Sequence, residues 1–274
     1  MTKQILLIGK PHSGKTTFIG QLCARIEANN GALKLYKPVE NLTPIIEATR
    51  ALAKGEEVAT TPTDKSTVIS LPLQHGELKI DLDCPDYGGE QINHIIENRE
   101  VDSKWADSIK QSENWILFIK PSDLSTSYDL SNKTIKPEVL ENGNGQTEEY
   151  SVSDQSSFIE LLQILLHTKG QDSHFKNSTT KLTVVLTCWD ELSNTTTPKE
   201  ELKKILPLLL NFIEANWIET KVNILGLSSQ GGSLKDPELK NKYQEEGSEN
   251  FGYMLMTDGT KEKDITQLII EAVQ

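Results

Sequence analysis

The sequence predicts an α/β protein built on a mostly parallel sheet with one antiparallel strand. Three observations carry that prediction. Strand-like and helix-like segments alternate from one end of the chain to the other. The all-apolar run 115–119 and the stretch 182–187 have the composition of strands buried on both faces. A single hairpin signal, His75-Gly76, separates the strand-like stretches 67–73 and 77–83 and makes that pair antiparallel.

Each element has a local reason. Residues 3–8 form a strand that runs into a glycine-bounded loop. A helix follows over 15–29, with Phe18, Leu22 and Ile26 on one face and Asn30-Gly31 as its stop. Thr43-Pro44 opens a second helix that ends at Gly55. After the hairpin, 89–110 reads as mostly helical, with Ile92, Ile95, Ile96, Trp105 and Ile109 apolar. Residues 122–150 are rich in Ser, Thr, Asn, Asp and Glu and include Asn142-Gly143-Asn144-Gly145, which predicts an exposed insertion. Ser157 and Glu160 form a capping-box pattern ahead of Leu161, Leu162, Leu165 and Leu166. Thr197 and Glu200 form another, opening a helix that is expected to run to about Trp217 through Pro207. Residues 222–227 are the last core strand. A polar stretch, 231–250, leads to an extra strand at 251–256, and a closing helix carries Ile265, Leu268, Ile269 and Ala272. No internal repeat is present. The interruptions at about 31–65, 121–152 and 231–260 bring no second core, so 1–274 is expected to be one elaborated domain.

Composition narrows the function. Lys plus Arg number 28 against 40 Asp plus Glu, a formal net charge of −12. Such a surface repels phosphate backbones and anionic lipids, which argues against sequence-independent nucleic-acid binding but leaves room for one local anion site. Cys23, Cys84 and Cys188 are odd in number and lack C-x-x-C spacing, so neither a disulfide framework nor a zinc site is expected. Residues 5–8 are too short for a signal peptide, and 205–213 falls far below the ~20 residues of a membrane span. The expectation is a cytosolic, soluble protein without membrane insertion.

The strongest chemical signal is Gly9-Lys10-Pro11-His12-Ser13-Gly14-Lys15-Thr16, which fits G-x-x-x-x-G-K-[ST] without a mismatch. The glycines let the backbone wrap with its N–H groups inward, and the following helix N-terminus adds its dipole, making an anion cradle. Lys15 is expected to reach the β- and γ-phosphates of a nucleotide, and the Thr16 hydroxyl suits Mg2+. Gly9, His12, Ser13, Gly14, Lys15, Thr16 and Thr17 are the expected contacts of this loop.

Three further segments stand in order along the chain. Asp86-Tyr87-Gly88-Gly89 follows the hairpin and matches D-x-x-G. Thr187-Cys188-Trp189-Asp190 follows the strand 182–187 and looks like a degenerate N/T-K-x-D. Ser228-Ser229-Gln230 ends the last core strand. A carboxylate at Asp190 can accept from both N1–H and N2–H2 of guanine, a donor pair that adenine lacks.

In this order these elements resemble the TRAFAC-class GTPases, a branch of the P-loop NTPases with a Ras-like three-layer fold. The D-Y-G-G-E version and the long insertions look closer to the double-GTPase type proteins of bacterial conflict and defence systems. The resemblance implies GTP/GDP and Mg2+ as ligands. It implies that Asp86 holds the metal through water, with Asp83 as a rival, and that the Gly89 amide senses the γ-phosphate. Thr187, Asp190, Ser228, Ser229 and Gln230 would meet the base. A switch threonine serving metal and catalysis should lie among Thr60, Thr61 and Thr63, with Thr63 favoured. Glu90, followed by Gln91, takes the place where Ras-like proteins carry a water-positioning Gln. Cys188 replaces the Lys whose stem covers the base, and Trp189 either stacks in compensation or is simply packed.

The function expected from this reading is a GTP-binding, slowly hydrolysing switch that acts through a protein partner, with self-association as a further expectation. A defence role is implied by the resemblance alone. The alternatives are an ATP-using P-loop enzyme and a nucleotide-binding scaffold with little turnover. His75, His94, His167 and His174 read as structural or solvated, and the four tryptophans as core.

Overall fold

The computed structural model describes residues 2–41, 43–58, 69–85, 89–125, 153–171, 174–192 and 196–274. Thr60, Thr61, Thr63, Asp86 and most of the 121–152 insertion lie outside them.

In chain order the elements are β1 (Lys3–Gly9), α1 (Lys15–Glu27), β2 (Lys34–Leu35), α2 (Thr43–Ala53), β3 (Ile69–His75), β4 (Leu78–Cys84), α3 (Glu90–Asn98), α4 (Ser103–Gln111) and β5 (Asn114–Ile119). There follow α5 (Asp154–Lys169), β6 (Lys181–Thr187), α6 (Pro198–Ile205), α7 (Pro207–Asn216), β7 (Val222–Ser228), α8 (Pro237–Glu246), β8 (Tyr253–Leu255), β9 (Lys261–Glu262) and α9 (Gln267–Val273). Among the described residues the strands form one sheet in the order β2-β3-β4-β1-β5-β6-β7-β8-β9.

Strands β4, β1, β5, β6 and β7 are mutually parallel. Both β3 and β8 run against their neighbours, where the sequence predicted one such strand. β8 pairs antiparallel with the edge of β7, and the short turn after it, where Gly259 N–H donates to Met256 O and Met256 N–H to Thr260 O, returns the chain as the antiparallel β9.

Alternation along β1 divides the core. Ile5 and Leu7 face Phe18, Ile19 and Leu22 of α1 and Leu268 and Ile269 of α9. Leu6 and Ile8 face the opposite layer, where Trp105, Phe158, Leu162, Leu202 and Leu209 come from α4 to α7. The result is helices on both faces of a central sheet, each fully buried Leu or Ile contributing about 1.5–3 kcal/mol. Leu52, Leu234 and Tyr243 make a small satellite core between α2 and α8. No described helix is long and apolar enough to cross a membrane.

Four sequence expectations are corrected here. The helix expected at Ser157 begins at Asp154, because Ser153 is the N-cap and accepts from Ser156 N–H. Ser157 is buried, and Glu160 instead takes an ion pair from Arg99 at 2.5 Å. The helix expected to pass through Pro207 breaks at Leu206 (φ −138°, ψ 60°), since proline lacks the N–H and its ring clashes with the preceding turn; Pro207 starts α7 instead. The 89–110 segment divides at Arg99, whose φ of 55° ends α3, and Asp102 caps α4. The polar stretch 231–250 contains α8, capped by Asp236. The Thr197 capping box forms as expected, with Glu200 accepting from Thr197 N–H at 2.9 Å.

Candidate functional site

The loop 10–14 joins β1 to α1 at the carboxyl ends of the parallel strands, where open α/β sheets place their binding crevices. Its curvature is built by His12 (φ 61°) and Gly14 (φ 87°), the second serving as N-cap of α1. Gly14 has no side chain with which to occupy the first N–H groups of the helix, which leaves them facing the loop. A Cβ on Gly9 would run into Ser13 Oγ and press on Phe118, so glycine lets the loop pass there without displacing Ser13. His12 is exposed and Ser13 buried. Lys15 is 3% exposed, and its Nζ donates to Gly9 O at 2.6 Å and Lys10 O at 3.0 Å. The ammonium is thereby held at the mouth of its own loop. Thr16 and Thr17 follow on the first turn of α1, both partly exposed.

Gly89 reaches the same place from β4. It is the left-handed N-cap of α3, φ 90°, and a Cβ there would lie 2.6 Å from Pro11 N and 2.7 Å from both Lys10 C and Lys15 Nζ. The glycine therefore rests on the Lys10–Pro11 peptide, and two helix N-termini without side-chain caps converge on one spot. Glu90 is the first residue of α3 and partly exposed. Gln91 faces elsewhere: its Oε1 accepts from Trp105 Nε1–H at 2.6 Å. Asp83 pairs with Leu6 in the sheet, three residues short of Gly9, and its carboxyl is pushed up by burial, with a Ser70 hydrogen bond opposing and Asp81 adding.

The third segment is tied to the first. Thr187 Oγ1 lies 3.0 Å from Ser13 O and 3.2 Å from Ile119 O, its single proton shared between them. Cys188 takes φ 50°, and burial, reinforced by Glu191, pushes its thiol up to about 12. Trp189 is 4% exposed and lies on Gly226 of β7, where a Cβ would come within 2.7 Å of the ring. Of the two readings of Trp189, stacking or packing, the structure has packing. Asp190 is exposed at the start of the 3-10 turn that follows β6, and it adds to burial in pushing up the Tyr253 phenol. Ser228 is buried and its Oγ accepts from Gly231 N–H at 2.9 Å. Ser229 O abuts Gly252, and Gln230 O accepts from Tyr243 O–H at 2.6 Å.

Gly226→Ala is expected to destabilise the fold by about 1–3 kcal/mol, because the Trp189 ring has to leave its place. Urea unfolding with tryptophan fluorescence checks both the loss and the change in indole environment. An unaltered midpoint and spectrum would refute it.

Sequence reasoning missed two groups around the site. Lys10 Nζ pairs with Asp154 at 2.9 Å, and Tyr243 stacks on Phe251 with ring centroids 4.2 Å apart. Neither partner lies near the other in sequence in the first case, and no motif marks the second.

The Double-GTPase 1 family model matches residues 6–272. The chain belongs to the Double-GTPase 1 family. No curated protein matches it in sequence. Among solved structures, this Double-GTPase 1 chain is similar to the Arl6 small GTPase of Trypanosoma brucei, with 13% identity over 90% of this chain and 98% of that one and a TM-score of 0.42. It is also similar to the S. cerevisiae Ski7 GTPase-like domain, at 13% identity over 84% of this chain and 43% of that one, TM-score 0.44. A bacterial selenocysteine-specific elongation factor aligns at 14% identity over 90% of this chain and 29% of that one, TM-score 0.37. The family and the αβα architecture are those of a P-loop GTPase.

The residues present fit the nucleotide that this family implies. A Cβ at position 9 or 89 would press into the loop 9–14, the N-terminus of α1 closes that loop, and Lys15 supplies the cation. Thr16 offers an oxygen of the kind Mg2+ prefers, and that ion would supply neutralisation of phosphate charge.

Proposed function

We propose that this Double-GTPase 1 chain binds GTP with Mg2+ as one cytosolic GTPase domain, hydrolyses it slowly, and reports its nucleotide state to a protein partner, in a bacterial conflict or defence setting. The observation that carries this reading is the seat of Gly89 on the Lys10–Pro11 peptide beside Lys15 Nζ. A phosphate held by the loop would then touch the start of α3 as well, so a change at the phosphate would be felt by a helix. In this reading the backbone of 9–17 and Lys15 hold the phosphates, and Thr16 and Asp86 hold Mg2+, with Thr63 joining them in the GTP state. Glu90 borders the attacking water. Asp190 reads guanine N1–H and N2–H2, and 228–230 closes over the base edge. Thr187 braces the base reader against the phosphate loop through Ser13 O.

A scaffold with little turnover is the second reading, and one observation favours it. The chain has three arginines, Arg25, Arg50 and Arg99. Arg25 is buried and donates to Phe251 O at 2.9 Å, while Arg99 is taken by Glu160.

Asp190→Asn tests the guanine assignment. The wild type is expected to prefer GTP to ATP. The variant should lose about a hundredfold or more in GTP affinity, two charge-assisted hydrogen bonds being weakened, and should gain for xanthosine triphosphate. Competition titrations against a fluorescent nucleotide measure this. A variant that keeps the wild-type preference for GTP over ATP removes Asp190 as the base reader.

A further inference from the structure

The second residue of the phosphate loop is gripped from the far side of the sheet. Lys10 Nζ donates to Asp154 Oδ1 at 2.9 Å and lies 4.7 Å from the centroid of the Phe158 ring, one helical turn further along α5. The other carboxylate oxygen is also taken: Ser125 N–H and Oγ reach Asp154 Oδ2 at 2.7 and 2.8 Å. The two charged side chains are 23% and 18% exposed, so water screens the pair only in part. Asp154 is the first residue of α5, where a carboxylate is also favoured by the helix dipole. Burial works against its charge, but the hydrogen bonds from Lys10 and Ser125 win and hold the carboxyl below its ordinary range.

The backbone of the same Lys10 stands at the centre of the site. Its carbonyl accepts from Lys15 Nζ at 3.0 Å and from Ser13 N–H at 3.2 Å. The peptide that follows it is the one on which Gly89 rests. The side chain of Lys10 thus points away to α5 while its peptide meets the loop cation, the loop amide and the α3 N-cap.

We infer that Asp154 is a positioning residue of the phosphate site: by holding Lys10 it fixes the Lys10–Pro11 peptide between Lys15 and Gly89, and so couples the start of α5 and the exit of β5 to the phosphate loop. The inference rests on the proposed phosphate-binding role of that loop. It adds residues that belong to none of the recognised motif segments.

Two readouts test it on the full chain with Asp154→Asn, Asp154→Glu, Lys10→Met and the double variant Lys10→Met/Asp154→Asn. The first is hydrogen exchange of the 9–14 amides in nucleotide-free protein. The second is the release rate of fluorescent GDP and of fluorescent ADP. Asp154→Asn and Lys10→Met are each expected to speed exchange in 9–14 while leaving β6 and β7 as they were, and to speed nucleotide release about tenfold. The double variant should be no worse than either single one, since both remove the same contact. Asp154→Glu, which keeps the carboxylate, should recover most of the loss. Lys10→Met changes no residue of α5 and serves if Asp154→Asn fails to fold. Unchanged exchange and release in both single variants, or effects that multiply in the double variant, would overturn the positioning role. Equal wild-type retention of GDP and ADP would instead sink the guanine reading, while the exchange data continue to judge the pair.

Discussion

Lys15→Ala is expected to lower nucleotide affinity by about a thousandfold or more while leaving the fold in place. The ammonium is already oriented: it is 3% exposed and hangs from Gly9 O and Lys10 O inside the ring formed by residues 9–14. A phosphate entering the ring meets a cation already held there, and charge-assisted hydrogen bonds of this kind contribute about 1.5–3 kcal/mol each. Alanine removes the charge and the hydrogen bonds together, and leaves Gly9 O and Lys10 O without their counter-charge next to an anion. The nucleotide-free protein should stay within about 1–2 kcal/mol of wild type, because the core layers on either side of β1 do not use the side chain. Calorimetric titration with GTP and Mg2+, paired with thermal unfolding of the free protein, reads both quantities. Nanomolar binding by a folded Lys15→Ala protein would show that the phosphates sit elsewhere.

The second large effect concerns turnover. Hydrolysis needs an aligned water and neutralisation of the charge that develops on the transferring phosphoryl group. The chain offers Lys15, the loop amides and, when bound, Mg2+. Two of its three arginines are engaged within the fold, Arg25 with Phe251 O and Arg99 with Glu160, and the third, Arg50, is exposed on the last turn of α2. Gln91, the neutral candidate for aligning water, is held by the Trp105 indole. Glu90 remains, and its negative charge is favourable at the start of α3 but unfavourable beside a γ-phosphate. The isolated chain is therefore expected to hydrolyse GTP slowly. A cation delivered by a partner or a second copy should accelerate it by roughly 10³–10⁵, the range such arginines supply. Single-turnover hydrolysis across a protein concentration series, with and without candidate partners, measures this. Fast hydrolysis independent of concentration, and indifferent to Glu90→Ala, would mean the site is complete in one chain.

Much of the fold was legible because its causes are local. The alternation of Ile5, Leu6, Leu7 and Ile8 between the two faces of the sheet, the Thr197 capping box and the glycine-bounded loop before α1 each depend on residues a few positions apart. For the candidate site the sequence offered four short segments, and the structure sets the loop 9–14, Gly89 and Thr187 against one another, while Asp86 lies outside the described residues. Several boundaries were not legible. Ser157, read as the cap of a helix, lies buried inside α5, whose cap is Ser153, four residues earlier. The direction of β8 was open as well, because a three-residue strand has no pattern of its own and takes its sense from the edge of β7.

The sequence by itself determined the α/β class, the phosphate loop and the family to which the chain belongs, since the close approach at Gly9, the left-handed turn at Gly14 and the periodicity of apolar residues are written residue by residue. Only the tertiary structure decided what those segments touch. Gly89 meets Lys10–Pro11 across the β1–β4 pair, Trp189 spends its ring on Gly226 instead of a base, Gln91 turns to Trp105, and Asp154 crosses 144 positions to hold Lys10. Each of these is a contact between side chains or peptides whose separation is set by strand order and helix packing, and no local pattern specifies a distance of that kind.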